Sequence, residues 1–467
     1  MVNSQLIELL QTFERKEWIE ATKFVQSPFH NSRSDVVKLL EYLKKVVPRG
    51  QVHKLDKARV FEAIYPLQTY DEKTIRYTMS FLFRLLQEYL AYNEFKEEEL
   101  LQQLSLLKAL RKRGLDRTFE GASHKTAESL ASHPYRNQDY YYHAFSYHEE
   151  QYIFSTTKSR SITTGFQHWS DQSTLFFMVQ KLQQACIALS HQTVLKNTYQ
   201  LPLFDAVLKE IAERDYHHCP AILVYHQLYQ TLSGKEDDLH FLKLKTLIVN
   251  FTPYFPKHEV KSIYLFALNF CIQQWNAGKS IFLQHAFTLY KEGLTAGIFI
   301  ENGHLSRFTY NNIALAGMGS KAFEWTENFL KTYEPFIEEK YRYSTFNFNL
   351  ATLYYRKQDY HKAMHLLQQT DFQDVLHSLE ARKMLLIIYY ELGENNALES
   401  LLESFKNLVY RQKKIGYHRE NYLNLIRFTH KRLRLNASDK QGMAKLRTAV
   451  KTTPNVAERE WLLQKME

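Results

Sequence analysis

The chain has 467 residues, of which only 14 are glycine and 10 proline, about 5% together against an ordinary share of roughly 12%. So few turn residues argue against sheets, collagen-like repeats and linker-rich disorder, while 45% apolar and 14% aromatic residues suffice for sizeable helical cores. Lys and Arg number 60 against 50 Asp and Glu, a net charge of +10, and the three scattered cysteines (Cys186, Cys219, Cys271) suit a reducing compartment rather than a disulfide framework.

The opening MVNSQLIELLQTFERKE carries Glu8 within its short apolar stretch and lacks a small-residue cleavage site, so it does not read as a secretory signal. The longest clean apolar run, Met384–Tyr390, is far below the ~18 residues of a membrane span. Both points lead us to expect a cytoplasmic protein.

Apolar residues recurring at the helical period predict short helices near residues 3–11, 15–26, 34–46 and 55–65, with turns at Ser27–Asn31 and Val47–Gln51. Asp71 is an expected N-cap for a longer helix, in which Ile75, Met79, Leu82, Phe83, Leu86 and Leu90 form one stripe and Arg76, Arg84 and Glu88 fall off it. Residues 1–95 therefore read as a helical N-terminal unit. A DNA reader of winged-helix type would have Lys73, Arg76 and Arg84 available, but residues 47–58 lack the alternation of a wing hairpin.

The acidic run Glu94–Glu99 marks a change of character, after which longer helices are expected at 97–113, 115–131, 137–155 and 171–196. The polar stretch Thr156–Gly165 reads as a loop. Residues 96–200 form a long-helix middle region. From residue 201 to 435 the pattern becomes helix pairs joined at Ser233-Gly234, Ala277-Gly278, Gly319-Ser320, Gln358-Asp359 and Gly393-Glu394, and residues 436–467 are expected to hold a basic segment and a short terminal helix.

A shift of 35 residues matches Leu350 with Leu385, Ala351 with Leu386, Tyr354 with Tyr389 and Leu367 with Leu402. With Tyr360 and Ala363, the first copy follows the spacing of a tetratricopeptide (TPR) repeat, in which small residues let two helices approach and large ones fill the groove to the next pair. A weaker copy lies 37 residues upstream at Ile313, Ala314, Phe323 and Leu330, with Gly317 where a large residue is expected. The expected fold is all-α, a helical-repeat (TPR-like) α-solenoid preceded by the N-terminal unit. Through Phe24–Asn31 (FVQSPFHN), Tyr70–Leu90, Gly393–Phe405 and Val456–Met466, the chain also resembles an uncharacterised family of bacterial all-helical proteins with TPR-like repeats. That resemblance implies a helical solenoid and brings no catalytic residues with it.

Reactive constellations are hard to assemble from this sequence. Gly278-Lys279-Ser280 would need a glycine where Gln273 stands to open a phosphate-binding loop. His217-His218-Cys219 are adjacent and point about 100° apart on a helix, so they suit a metal poorly. Asp139, His143 and Tyr147 share a helical stripe in the tyrosine-rich segment Tyr135–Tyr152, which reads first as a half-buried helix and second as a binding surface. No catalytic residue, cofactor or metal ligand is expected.

Charge placement is the departure from neutrality. Lys406–Lys451 holds thirteen Lys/Arg against Glu420 and Asp439, a local +11 in a chain whose total is +10. On the helix over 417–435, Arg427, His430, Lys431 and Arg434 fall on one face, opposite Tyr422, Leu425, Ile426, Phe428 and Leu433, and Lys413 and Lys414 precede it. The expected function is a non-enzymatic scaffold binding a protein or peptide partner through the array. The alternative is an RNA- or DNA-associated protein using residues 406–451.

Overall fold

The computed structural model describes residues 1–467 apart from 159–164, 196, 235–237, 373, 413–417 and 437–438. The described residues include twenty-three α-helices and one two-stranded antiparallel hairpin. The chain is all-α, and it divides into two compact units, Met1–Gln180 and Lys181–Glu467.

In the first unit, helix Glu72–Glu97 begins where Asp71 accepts hydrogen bonds from the backbone N–H groups of Lys73 and Thr74. Its Ile75, Met79, Leu82 and Leu86 are buried, and it packs on helices Gln5–Gln11, Arg15–Gln26, Ser34–Val46 and Lys57–Ile64. These elements close one apolar core running from Leu6 to Tyr89. The helix continues beyond Leu90, so the acidic run at Glu94 lies within its last turns and the break comes at Glu98. Helices Glu99–Lys112, Asp116–Ser132 and Gln138–Lys158 then pack pairwise around Leu107, Phe119 and Phe154. The helix Gln138–Lys158 runs through the first three residues of the loop expected from Thr156 to Gly165, and residues 159–164 lie outside the described residues.

In the second unit, helices pair in sequence: Pro220–Ser233 with Asp238–Phe251, Lys257–Asn276 with Ile281–Thr295, and Arg307–Gly319 with Phe323–Tyr333. Glu339–Arg356 with Tyr360–Gln369 and Val375–Leu392 with Asn395–Arg411 follow. The five turn dipeptides singled out in the sequence all fall at the ends of these helices. First helices also touch one another: Pro220–Ser233 packs on Lys257–Asn276, and Glu339–Arg356 packs on both Arg307–Gly319 and Val375–Leu392. Helices His418–Arg434, Lys440–Thr452 and Arg459–Gln464 close the unit on the core that contains Leu386, Phe405 and Phe428.

The hairpin pairs Ile300–Glu301 with His304–Leu305 and is absent from the helical reading of the sequence. Its signal was local all the same. Asn302 and Gly303 both have positive φ, +49° and +78°, the conformation that an Asn-Gly tight turn supplies.

Candidate functional site

The repeat residues come first because they set the frame. Ala351, Ala363, Leu367, Leu385 and Leu402 are buried in one shared core, and Leu350 is buried beside it. Tyr354 and Tyr389 are half-buried against that core with their hydroxyls at its edge: Tyr354 donates to Glu327 at 3.5 Å, and Gln368 donates to Tyr389 at 2.8 Å. The small side chains Ala351 and Ala363, on the paired helices Glu339–Arg356 and Tyr360–Gln369, are both fully buried in that core.

Polar side chains of three successive first helices join in a strip. Asn349 donates to Asn311 at 2.6 Å, and Asn311 in turn lies 3.1 Å from His377 Nε2. His377 stacks on Phe348 with ring centroids 4.1 Å apart, and burial pushes its imidazole below the usual range. At one end the Arg307 guanidinium lies over the rings of Tyr341 and Phe308, at 4.2 and 4.8 Å. The exposed Phe308 (63%), Tyr343 (62%) and Leu376 (49%) stand on the same three helices. Asn311 and Asn349 are 38 residues apart, off both the 35- and 37-residue shifts of the repeat, and neither they nor His377 stood out in the sequence.

The basic stripe lies on helix His418–Arg434. Arg427, Lys431 and Arg434 are exposed and His430 is half-buried, while Tyr422, Leu425, Ile426, Phe428 and Thr429 face the core. Lys413 and Lys414 lie outside the described residues. Not every cation of the segment is available. Arg432 donates to the Lys465 carbonyl at 2.8 Å, and Arg447 pairs with Glu467 at 3.0 Å. Among the described residues, no carboxylate lies within ion-pair distance of Arg427, Lys431 or Arg434; Arg427 rests 4.6 Å from the Phe428 ring centroid. Nearby acids are engaged elsewhere: Glu420 accepts from Asn455, Asp439 caps helix Lys440–Thr452, and Glu458 pairs with Lys383.

The other sequence candidates are placed as follows. Tyr147 is buried, and its hydroxyl is engaged by Gln151 at 2.6 Å and Ser123 at 3.2 Å; His143 is buried and its imidazole is held low by burial. Of the six tyrosines from Tyr135 to Tyr152, only Tyr142 is exposed. The same helix holds Glu150, whose carboxylate takes two hydrogen bonds from Arg111, at 2.6 and 3.2 Å. Lys279 pairs with Asp238 at 2.8 Å in a turn between helices. All three cysteines are buried thiols, with Cys186 and Cys271 pushed up by burial. No group of three metal-ligating side chains gathers among the described residues, and no helix is long and apolar enough to cross a membrane.

Compared with known proteins, the chain matches no family model, no curated protein and no solved structure. The resemblance noted from the sequence is therefore supported only in being helical.

Proposed function

We propose that this chain is a non-enzymatic scaffold that holds an extended segment of a protein partner across the first helices of a TPR-like array, in a bacterial cytoplasm. The observation that carries the reading is the strip from Arg307 through Asn311 and Asn349 to His377, drawn from three successive helix pairs and flanked by exposed Phe308, Tyr343 and Leu376. Stacked helix pairs present a long surface built from many shallow contacts, and such a surface suits an extended peptide better than a small substrate. The buried Asn349 and its bond to Asn311 tie neighbouring first helices together, and the exposed Phe308, Tyr343 and Leu376 that those helices carry supply affinity. The 35-residue register supports the same reading, since it repeats a packed helix pair of the kind that stacks into an extended surface.

The test is affinity capture with the whole chain at physiological salt, run beside the double variant Phe308→Ala, Tyr343→Ala. Both rings are exposed, so the variant is expected to keep its thermal midpoint within a few degrees. The expected result is a specific protein recovered by the parent chain and lost by the variant. Equal recovery by both, or no specific protein across several growth conditions, overturns the proposal.

A further inference from the structure

The cations left free at the end of the second unit share their helix with Arg419, which contacts an exposed tyrosine. Arg427, Lys431 and Arg434 follow one another at i, i+4 and i+7, so with a 1.5 Å rise per residue they are spaced by about 6 and 4.5 Å along the helix axis. One flank of the same helix carries Arg419, whose guanidinium lies 5.5 Å from the ring centroid of Tyr410 on helix Asn395–Arg411. Tyr410 is 50% exposed. Lys440, Lys445 and Lys451, on the helix that packs next to the stripe, are exposed as well. Five acids share this end: Glu420 is held by Asn455, Asp439 caps the Lys440–Thr452 helix, Glu458 pairs with Lys383, Glu467 pairs with Arg447, and Glu460 is exposed. They are outnumbered.

We propose that this surface binds single-stranded nucleic acid, with Arg427, Lys431 and Arg434 on successive phosphates and an unpaired base stacked against Tyr410 and Arg419. The phosphate part follows from unpaired cations at a spacing matched to a flexible strand, whose condensed counterions are released on binding. The stacking part separates this partner from an acidic protein. Carboxylates gain from the lysines and arginines but have no planar face for the Tyr410–Arg419 couple, whereas every base has one. Duplex bases are stacked on each other, which is why the partner is single-stranded. This contact is independent of the peptide strip, and either one stands without the other.

The experiment uses the whole chain and a labelled single-stranded oligouridylate, with affinity read by fluorescence anisotropy over a salt series. Log affinity is expected to fall linearly with log salt, and the triple variant Arg427→Glu, Lys431→Glu, Arg434→Glu to flatten that slope by about 2, at roughly 0.7 per phosphate lost. Its thermal midpoint should stay with the parent's, because none of the three side chains has an ion-pair partner to lose. Tyr410→Ala is expected to weaken binding at least about fivefold with the slope unchanged, since stacking releases no counterions. Three outcomes overturn the proposal: no binding by the parent chain, parent-like binding by the triple variant, or polyglutamate displacing the RNA as well as unlabelled RNA does. The last assigns the surface to an acidic protein instead.

Discussion

Asp35 shows how much one side chain in the first unit depends on its neighbours. Its carboxylate takes hydrogen bonds from Arg33 at 2.5 and 3.1 Å, from Tyr65 at 2.5 Å and from Thr78 at 3.3 Å. Burial raises its pKa, yet Arg33, Tyr65 and Thr78 outweigh that and hold it down at about 2. A carboxyl that binds its proton less readily when folded adds stability above its unfolded pKa of about 4, and that stability is lost as pH falls through about 2. The contribution at neutral pH is about 2 kcal/mol. Asp35→Asn should lower the urea midpoint at pH 7, and its deficit against the parent chain should shrink as pH falls below about 4. A deficit that stays constant over that range refutes the assignment. The segment Phe24–Asn31 just upstream carries no trace of this network, because Asp35, Tyr65 and Thr78 lie 30 and 43 residues apart in sequence.

Helices in the second unit meet at distances set by their smallest residues. Gly317 stands where the repeat pattern leads one to expect a large side chain, and the reason is the neighbouring helix Phe323–Tyr333. A Cβ built on Gly317 would run into Thr326 Oγ1, nearer than real Cβ atoms approach, and would touch the Phe287 ring at 3.4 Å. Thr326 is itself fully buried and donates to the Ala322 carbonyl at 2.8 Å, so it has little room to move. Gly317→Ala is therefore expected to destabilise the chain by about 1–3 kcal/mol despite alanine's better helix propensity, an overpacking cost visible as a lower thermal midpoint. A midpoint equal to or above the parent's shows that the two helices separate freely. The period of apolar residues made these helices legible, and Asp71 made one boundary legible to the residue. It did not distinguish Gly317 as a contact from Gly317 as a defect, since one sequence carries no record of what lies on the other side of a helix.

Across the second unit, the last helices are fastened by contacts between residues far apart in the chain. Trp461 Nε1 donates to Glu391 at 2.6 Å from 70 residues away, its ring lies edge-on to Tyr390, and Lys465 pairs with the same Glu391 at 2.8 Å. Lys383 bridges Glu380 and Glu458 at 2.7 and 2.9 Å; burial lowers its pKa, and the two carboxylates more than reverse that. Losing the Trp461 ring leaves Glu391 with a single partner and opens the Tyr390 face, a cost of about 3 kcal/mol typical of a large aromatic truncation. Limited proteolysis should then cleave Trp461→Ala between residues 436 and 467 much faster than the parent chain, with the first unit unaffected. Equal cleavage rates count against a fastened terminus. These contacts also matter for the basic surface, because the Arg459–Gln464 helix they fasten packs on both His418–Arg434 and Lys440–Thr452, which carry its exposed cations.

Composition and local periodicity alone determined that this protein is built from helices, about where those of the first unit begin and end, and that its positive charge is concentrated between Lys406 and Lys451. Those properties are local: a helix is specified by residues three and four apart, and a charge excess is a count. Only the tertiary structure decided which cations remain available. Arg432, Arg447 and Lys465 look no different in sequence from Arg427, Lys431 and Arg434, yet the first three are tied to a carbonyl or a carboxylate and the last three are not. The pairing is long-range, so helical periodicity places each side chain on a face without saying what that face meets.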